Sequence, residues 1–287
     1  MRIATFNILH GRSLVDGRVD LDRFTDAVRR LDADILALQE VDRDQPRSHG
    51  ADLTMMAAAA MGAPEHRFVA TMHGTPDLWT AATGEEQPEA STYGIALLSR
   101  YPVDHWKVLT LPAPQQRVPV LFPDRRRPVL VQDEQRTAVA AVVSTREGTL
   151  SVVATHLTFV PGWNVAQLRH LVRAVRDLPR PLVLLGDLNL AGGRPARFSG
   201  LRPLVVAPTF PLDRPDRQLD HILVDGDLTV TEPGGAVDLG MSDHRALHVR
   251  VALAATTPPG TGALQAAEPG GGARQAGAGS PARTEDH

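Results

Sequence analysis

The sequence contains no cysteine, few aromatic residues and little net charge. Without cysteine, disulfides, thiolate zinc sites and cysteine nucleophiles are all excluded. Aromatic residues make up 4% of the 287 residues and the formal net charge is -3, so no global positive field draws the chain to polyanions. No uninterrupted apolar stretch approaches the roughly 18 residues that a membrane helix needs. Met1 leads directly into a predicted strand without an apolar leader, so we expect a cytoplasmic protein.

Composition divides the chain into a globular part and a tail. Residues 1–253 alternate apolar runs with polar turns, whereas residues 254–287 consist mainly of Ala, Gly and Pro with scattered charge. A segment of that composition cannot bury enough apolar surface to offset the entropy lost on ordering. We therefore predict one domain over residues 1–253 and a disordered tail over residues 254–287.

Apolar periodicity predicts helices, and polar composition predicts loops between them. Residues 21–31 carry apolar side chains at helical spacing, with Asp20 as the helix cap. Asn164 is predicted to cap a later helix in the same way. Residues 73–91 are polar and predict a surface loop. Residues 112–134 predict a second loop whose arginines are either simply solvated or attract an anionic substrate.

A short apolar run at residues 182–185 predicts a strand buried on both faces, because Pro181 and Gly186 bound it. Asp187 and Asn189 follow this strand. Residues two apart on an extended chain point the same way, so these two polar side chains are expected to emerge side by side. Alone, such a pair is more typical of a turn or a helix cap than of a catalytic site.

The same pattern recurs at other strand ends. The polar residues in these positions are Asn7, Glu40, His156, Asp187, Asn189, Asp220, Asp243 and His244. Each has a structural alternative as a turn former, a cap, a core histidine or an ion-pair partner, but so many strands ending this way are not expected by chance. Carboxylate and amide oxygens suit Mg²⁺, with Mn²⁺ as a substitute, and the histidines supply acid–base capacity near neutral pH. Together these groups predict hydrolytic phosphoryl transfer.

The order of elements repeats once along the chain. Asn7, a helix and a buried strand ending at Glu40 form the first half, and His156, a helix and a buried strand ending at Asp187 form the second. This repeat predicts polar groups at corresponding edges of two packed sheets. No glycine-rich nucleotide loop, Gly-x-Ser-x-Gly or His-Glu-x-x-His motif is present, which excludes those enzyme classes by motif.

Seven short motifs resemble, in order, those of the endonuclease/exonuclease/phosphatase superfamily, which has the pancreatic-deoxyribonuclease-like fold. They are Ala4-Thr5-Phe6-Asn7, Leu38-Gln39-Glu40-Val41, Ala96-Leu97-Leu98-Ser99-Arg100, Thr155-His156-Leu157, Gly186-Asp187-Leu188-Asn189, Leu219-Asp220-His221-Ile222 and Ser242-Asp243-His244. Each motif alone is weak, and their order over residues 1–252 makes the signal specific. The resemblance implies the α/β class: a four-layered α/β sandwich of two packed mixed β-sheets flanked by helices, with the active site at one edge.

The resemblance also implies a role for each of these residues. Glu40 is implied as the principal metal ligand with Asn7 beside it, and Asp243 as a second metal ligand or an orienting group. Asp187 would align or deprotonate the attacking water. Asn189 would bind the phosphate or help to hold that water.

The remaining implied roles concern the phosphate itself. His244, oriented by Asp220, would contact the scissile phosphate or transfer a proton. His156 would stabilise the pentacoordinate phosphate or protonate the leaving oxygen. Arg136 matches the position of a family arginine near the phosphate.

The resemblance leaves the substrate open, because the superfamily includes nucleases, sphingomyelin and inositol-lipid phosphohydrolases and other phosphodiesterases. The first interpretation is a Mg²⁺-dependent phosphodiester hydrolase acting on nucleic acid, that is, a nuclease, with no obligate protein partner. The alternative is a phospholipid or inositol-phosphate phosphodiesterase or phosphatase. A catalytically silent binding module is the hypothesis from another class, and competent residues at every expected catalytic position argue against it.

Overall fold

The computed structural model describes residues 1–76, 78–82, 90–114, 117–120, 127–131 and 133–253. The predicted tail at 254–287 lies outside this part of the chain, and both it and the predicted domain boundary stay predictions. The helices are α1 (Leu21–Leu31), α2 (Leu53–Met61), α3 (Trp163–Ala174) and α4 (Arg194–Ser199). The strands are β1 (Arg2–Asn7), β2 (Ile35–Arg43), β3 (Glu65–Thr75), β4 (Leu78–Ala81), β5 (Thr92–Ser99), β6 (Val103–Thr110), β7 (Val118–Val120), β8 (Val129–Val131), β9 (Thr137–Thr145), β10 (Gly148–His156), β11 (Leu182–Asp187), β12 (Arg202–Pro203), β13 (Asp220–Asp225), β14 (Leu228–Val237) and β15 (Ala246–Leu253). None of the described helices is both long enough and apolar enough to cross a bilayer.

The strands form two packed mixed sheets. The first has the order β14-β15-β1-β2-β5-β3-β4 and the second β12-β13-β11-β10-β9-β6, while β7 and β8 pair separately. The facing sides of the sheets share one apolar core, which includes Ile3, Leu97, Val152 and Val183. Helices α1 and α2 cover the outer face of the first sheet, and α3 and α4 cover that of the second. These four layers confirm the predicted α/β sandwich.

Two strand–helix–strand units place the polar strand ends together. β1 pairs parallel with β2, which sets Asn7 beside Gln39, and β10 pairs parallel with β11, which sets His156 beside Asp187. Parallel neighbours in a sheet need a crossover connection, here α1 and α3, and their carboxyl ends therefore meet at one edge. The repeat seen in the sequence is thus a repeat of structure.

Helix α1 forms as its sequence predicts. The Asp20 side chain accepts hydrogen bonds from the backbone N–H groups of Asp22 and Arg23, each at 3.0 Å, and so caps the helix. Phe24 and Leu31 are among the buried residues of the helix. Burying each such side chain stabilises the fold by about 1.5–3 kcal/mol. The helix is thereby held against the first sheet.

The prediction that residues 73–91 form a surface loop is wrong over the described residues. β3 continues to Thr75, and β4 pairs back onto it with Gly74 opposite Trp79. The polar composition of this segment does not indicate a strand. The strand forms because β5 supplies its backbone hydrogen bonds, and local composition does not report such a pairing. Residues 77 and 83–89 lie outside the described chain.

The loop predicted at residues 112–134 contains the short pair β7 and β8. Of its arginines, Arg117 and Arg127 are exposed, and Arg125 and Arg126 lie outside the described residues. Exposure of the two described arginines agrees with a solvated segment and leaves the substrate-attracting alternative as a prediction.

The prediction that Asn164 caps a helix is wrong. Helix α3 begins at Trp163, and its N-cap residue is Gly162, which has no side chain to accept a hydrogen bond from the first turn. Asn164 lies inside the helix, and its side-chain amide donates to the carbonyl oxygen of Asn189 at 3.0 Å. The helix therefore supports the loop that follows β11.

Gly186 lies where β10 and β11 leave no room for a side chain. Its φ is 143°, and a Cβ built there would collide with the carbonyl oxygen of Thr155. We expect Gly186→Ala to lower the free energy of unfolding by about 2–4 kcal/mol, because one strand must shift. Urea denaturation of the full chain measures this. In the control Gly192→Ala, φ is 61° but nothing lies within 4 Å, so only backbone strain is added. Equal losses in the two variants would contradict the collision.

Candidate active site

The sequence predicts that Glu40 ends its strand, but in the structure Glu40 lies in a bulge within the strand. β2 runs on to Arg43, while the register with β5 shifts between Leu38 and Val41 and the φ of Glu40 is 58°. Bulges redirect a side chain without ending the strand. This bulge brings the Glu40 carboxylate within 3.0 Å of the amide nitrogen of Asn7.

Asn7 joins the two sheets at the site. Its Nδ2 donates to Oε1 of Glu40 at 3.0 Å and to Oδ2 of Asp187 at 3.1 Å. Its Oδ1 accepts the backbone N–H of Leu9 at 3.2 Å, which fixes the orientation of the amide. One buried side chain thus connects a carboxylate of the first sheet to one of the second.

Asp187, Asn189 and His156 meet at the ends of β10 and β11. Oδ1 of Asp187 accepts the backbone N–H of Asn189 at 3.0 Å, and its Oδ2 lies 3.5 Å from Nε2 of His156. Asn189 Nδ2 donates to the Leu157 carbonyl at 2.9 Å and lies 3.4 Å from the same His156 nitrogen. Asn189 has a φ of 48°, so a turn brings the side chains of Asp187 and Asn189 together. The sequence predicts an extended backbone between them.

His244 completes this group from the other side. Its Nδ1 lies 2.8 Å from Oδ2 of the fully buried Asp220, and its Nε2 lies 3.8 Å from Oδ2 of Asp187. Burial by itself would lower the pKa of His244, but Asp220, Asp187 and Asp243 outweigh it and raise the pKa to about 10. His244 is therefore an imidazolium at neutral pH.

Burial shifts the pKa values of the neighbouring groups in a consistent way. It raises the pKa of Asp187 above the usual carboxyl value, although the charge of His244 opposes the shift. It also lowers the pKa of His156 well below its usual value, helped by the positive charges of Arg136 and His244. The site thus combines a carboxylate of raised basicity, one charged imidazole and one neutral imidazole.

Glu40 is surrounded by other carboxylates. Burial raises its pKa to about 7; the Asn7 hydrogen bond opposes the shift, and the charges of Asp243, Asp187 and Glu134 add to it. Crowded carboxylate oxygens of this kind are the hard donor set that a divalent cation stabilises. Asp187, Asp220 and His244 form a second group whose possible ligand atoms all lie within 4.8 Å of one another. The residues present therefore fit a hard divalent cation.

Arg136 lies just before β9 and is almost fully buried. Its Nη2 lies 3.4 Å from Oδ1 of Asp133 and 3.3 Å from Oε1 of Glu134. Its positive charge is one cause of the lowered pKa of His156, so the guanidinium acts on the same site. The two flanking acids were not singled out in the sequence, because they lie in a proline-rich segment without periodicity.

Several supporting residues were also missed in the sequence. Ser242 Oγ donates to the Asn7 carbonyl at 2.6 Å and accepts the His244 backbone N–H at 3.1 Å. Thr209 Oγ1 accepts the backbone N–H of Asp220 at 3.3 Å, and the Phe210 ring lies 4.9 Å from the His244 ring. Ser242 is part of the Ser-Asp-His motif and could have been recognised. No sequence pattern marks Thr209 or Phe210.

The burial of His10 predicts how the free energy of unfolding depends on pH. Its pKa is lowered from 6.5 to about 4, first by burial and then by Arg47 and Arg12. Between these two pH values the unfolded chain binds a proton that the folded chain does not, so the free energy of unfolding falls as pH falls through this window. One such group contributes at most about 1.4 kcal/mol per pH unit.

We expect His10→Asn to flatten this slope. Asparagine suits the site because the φ of His10 is 48°, in the left-handed region that asparagine tolerates. Urea denaturation across the window measures the slope, with His105→Asn as the control on the exposed face of β6. An unchanged slope in the His10 variant would show that His10 does not cause it.

Several solved structures share this fold over most of the chain. An endonuclease/exonuclease/phosphatase from Beutenbergia cavernae is 25% identical, with 88% of this chain and 71% of that chain covered and a TM-score of 0.66. A mannosyl-6-phosphatase from Bacteroides thetaiotaomicron is 15% identical, with 88% and 100% covered and a TM-score of 0.57. A beta toxin variant from Staphylococcus aureus with bound magnesium ions is 12% identical, with 86% and 98% covered and a TM-score of 0.57. The last two likenesses show the fold alone. No curated protein matches the chain.

These structures define the class as α/β sandwiches built from two mixed sheets. The sequence profile of the Endonuclease/Exonuclease/phosphatase family matches residues 4–244, and the chain belongs to this family. Its members are hydrolases that act on phosphoesters. The resemblance drawn from the motifs is therefore confirmed.

Proposed function

We propose that this protein is a Mg²⁺-dependent phosphoester hydrolase that uses an activated water. One observation carries the proposal: a continuous network in which Asn7 binds Glu40 and Asp187, and Asp187 lies beside both His156 and His244. Nucleophile activation and charge stabilisation are thereby held within one buried cluster. Hydrolytic phosphoryl transfer requires both.

Asp187 acts as the base. Because burial raises its pKa, its carboxylate is a stronger base than an exposed one while remaining ionised at mildly alkaline pH. It takes a proton from water as the water oxygen bonds to phosphorus. The ester oxygen leaves on the opposite side with the bonding electron pair and takes up a proton from solvent, and Asp187 then releases its own proton to solvent. Asn189 helps to hold the water or the phosphate beside Asp187.

The two histidines have different roles because their charges differ. His244 is positively charged and stabilises the negative charge that grows on the phosphate oxygens, while Asp220 holds its ring by the 2.8 Å contact. His156 is neutral and donates a hydrogen bond to a phosphate oxygen. Its lowered pKa favours this role over protonation of the leaving oxygen. Arg136 adds a fixed positive charge on the same side.

Glu40 and Asp243 would hold the cation, Mg²⁺ or Mn²⁺ as its substitute. Asn7 positions Glu40 through their 3.0 Å hydrogen bond. In the group of Asp187, Asp220 and His244, the hydrogen bond between Asp220 and His244 already uses two of the atoms that could bind a metal. The Glu40 side is therefore the better cation site. When bound, the cation neutralises non-bridging phosphate oxygens.

The test compares synthetic phosphodiesters and phosphomonoesters, DNA, RNA and phospholipid head groups, each with Mg²⁺ and with chelator. The proposal predicts hydrolysis that requires the metal and is lost in Asp187→Asn. Absence of metal-dependent hydrolysis with every substrate would overturn it and favour a silent binding module. The same panel separates diesterase from monoesterase activity.

A nuclease is the second candidate, and one surface feature favours it. The guanidinium carbons of Arg169, Arg194 and Arg197 lie 5.2, 5.9 and 5.8 Å from the ring centre of Phe198, and all three arginines are exposed. Exposed arginines around an aromatic ring suit the backbone and bases of a nucleic acid. If DNA is the substrate, replacing the three arginines with glutamine should weaken binding and reduce its salt dependence. An unchanged salt dependence would remove this support.

A further inference from the structure

The segment from Thr209 to Arg217 folds back on itself beside the candidate active site. Phe210 and Arg217 exchange two backbone hydrogen bonds, each of 2.9 Å, which close the segment into a loop. The backbone N–H of Arg245 donates to the Thr209 carbonyl at 2.8 Å. The loop is therefore tied to the residue that follows His244, and we name residues 209–217 the clamp loop.

The clamp loop contacts both members of the Asp220–His244 pair. The Thr209 side-chain oxygen, Oγ1, accepts the backbone N–H groups of Leu219 at 3.2 Å and of Asp220 at 3.3 Å. Phe210, the next residue in the chain, places its ring centre 4.9 Å from that of the His244 imidazole. Two adjacent residues thus hold the carboxylate through its backbone and the imidazole through its ring.

The hydrogen bond to Asp220 does not by itself fix the orientation of the His244 ring. Nδ1 of His244 lies 2.8 Å from Oδ2 of Asp220, but the ring can still pivot about this contact, because the torsion next to an aromatic ring has broad minima. The other ring nitrogen, Nε2, lies 3.8 Å from Oδ2 of Asp187, which is too long for a hydrogen bond. A second ring packed against the imidazole supplies the missing restraint, and Phe210 lies in that position.

The Phe210 ring lies close to two cationic groups. The guanidinium carbon of Arg217 lies 4.8 Å from its centre, and the His244 imidazolium lies at 4.9 Å with the two ring planes tilted by 56°. The face of an aromatic ring carries partial negative charge and attracts cations within about 6 Å. An aliphatic residue of similar volume would fill the same space without this attraction. The charge distribution of the ring, as well as its packing, therefore favours the observed position of His244.

We propose that Phe210 is a positioning residue, which holds the His244 imidazole in the orientation that stabilises the substrate phosphate. This inference rests on the proposed phosphoester hydrolysis and adds to it a residue that does not touch the reacting atoms. Arg217 contributes less than His244 to the position of the Phe210 ring, because its side chain is about half exposed and lies 3.5 Å from Asp216.

The kinetic test uses the full chain with Mg²⁺ and either bis-p-nitrophenyl phosphate or p-nitrophenyl phosphate, whichever it hydrolyses faster. Phe210→Leu keeps the side-chain volume but removes the ring face, so kcat should fall about 10-fold while KM stays near the wild-type value. Phe210→Tyr keeps the ring, and kcat should stay within about 2-fold of wild type, because Phe210 is partly exposed and the added hydroxyl can reach solvent. Wild-type kcat in Phe210→Leu, a change in KM alone, or an equal loss of kcat in both variants would overturn the proposal.

A matched control separates positioning from the general cost of removing an aromatic ring. Phe68 on β3 is also partly exposed, and the guanidinium carbon of Arg43 lies 4.9 Å from its ring centre. Its ring packs against the core between the first sheet and its helices and has no contact with His244. Phe68→Leu should therefore lower stability and leave kcat at the wild-type value. A comparable loss of kcat in Phe68→Leu would attribute the effect to stability and reject the positioning role.

A double-mutant cycle tests the contact without any turnover. Urea midpoints are measured for the wild type, Phe210→Leu, His244→Asn and the double variant, because an asparagine amide can still donate to Asp220 but provides no ring. Phe210→Leu should lower the midpoint less in the His244→Asn background than in the wild type, since the ring contact is already absent there. Such coupling without hydrolysis of any substrate would retain the positioning of His244 by Phe210 and reject the hydrolase. Equal shifts in the two backgrounds, with or without turnover, would reject the positioning.

Discussion

Replacing Asp187 with asparagine is expected to lower kcat for a phosphoester by about 10²–10⁴-fold and to lower the free energy of unfolding by about 1–3 kcal/mol. Asparagine has the same shape and can still accept the Asn189 N–H, now 3.0 Å from Oδ1, but it cannot take a proton from water. Oδ2 of Asp187 accepts the Asn7 amide N–H at 3.1 Å, and the NH₂ group that replaces this oxygen leaves that buried donor without its acceptor, which is the source of the expected loss of stability.

Steady-state kinetics with Mg²⁺ and urea denaturation measure the two effects of Asp187→Asn separately. The matched control is Asp225→Asn, near the other end of the neighbouring strand β13, where Asp225 forms an exposed ion pair with Arg180 at 2.6 Å. Exposed pairs of this kind contribute little to stability, and kcat should stay at the wild-type value. Wild-type turnover in Asp187→Asn would show that Asp187 is not the base.

Replacing His244 with alanine is expected to reduce both activity and stability. Loss of the imidazolium removes the charge that stabilises the phosphate, which should lower kcat by about 10²–10³-fold. It also leaves Asp220 as a fully buried carboxylate without its 2.8 Å partner. Breaking one side of a buried ion pair costs about 3–5 kcal/mol, so the free energy of unfolding should fall by that amount.

A second substitution separates these two effects of His244→Ala. In the double variant Asp220→Asn/His244→Ala the buried charge is absent, so most of the lost stability should return while activity stays low. His248→Ala, on β15 and partly exposed, serves as the control and should keep wild-type turnover. Recovery of activity in the double variant would rule out a direct role for His244. If His244→Ala alone is as stable as the wild type, the proposed buried ion pair with Asp220 is ruled out.

Local patterns predicted the elements that carry the site. The apolar run of β11 ends at Asp187, and Asp20 caps α1, because strand burial and helix capping depend on neighbouring residues. The same reasoning failed for β3 and β4, whose backbone partners come from elsewhere in the sheet. It also failed for Asn164, because the N-cap residue is Gly162, two positions earlier in the chain.

The sequence named the residues of the candidate site by type and order but did not predict their arrangement. The sequence predicts Glu40 at a strand end, whereas a bulge within β2 presents it. The sequence predicts an extended segment from Asp187 to Asn189, whereas a left-handed turn brings Asn189 to His156. Each difference is a change of backbone direction that the surrounding structure stabilises and that residue type alone does not encode.

By itself the sequence determined the two strand–helix–strand units and the family motifs along them, and it predicted a set of polar residues with hard-ligand chemistry. Only the tertiary structure decided that Asn7 of one sheet meets Asp187 of the other, and that Phe210 lies against His244. Asn7 and Asp187 are 180 positions apart, and periodicity reports which face of a strand is buried but not which distant face it packs against.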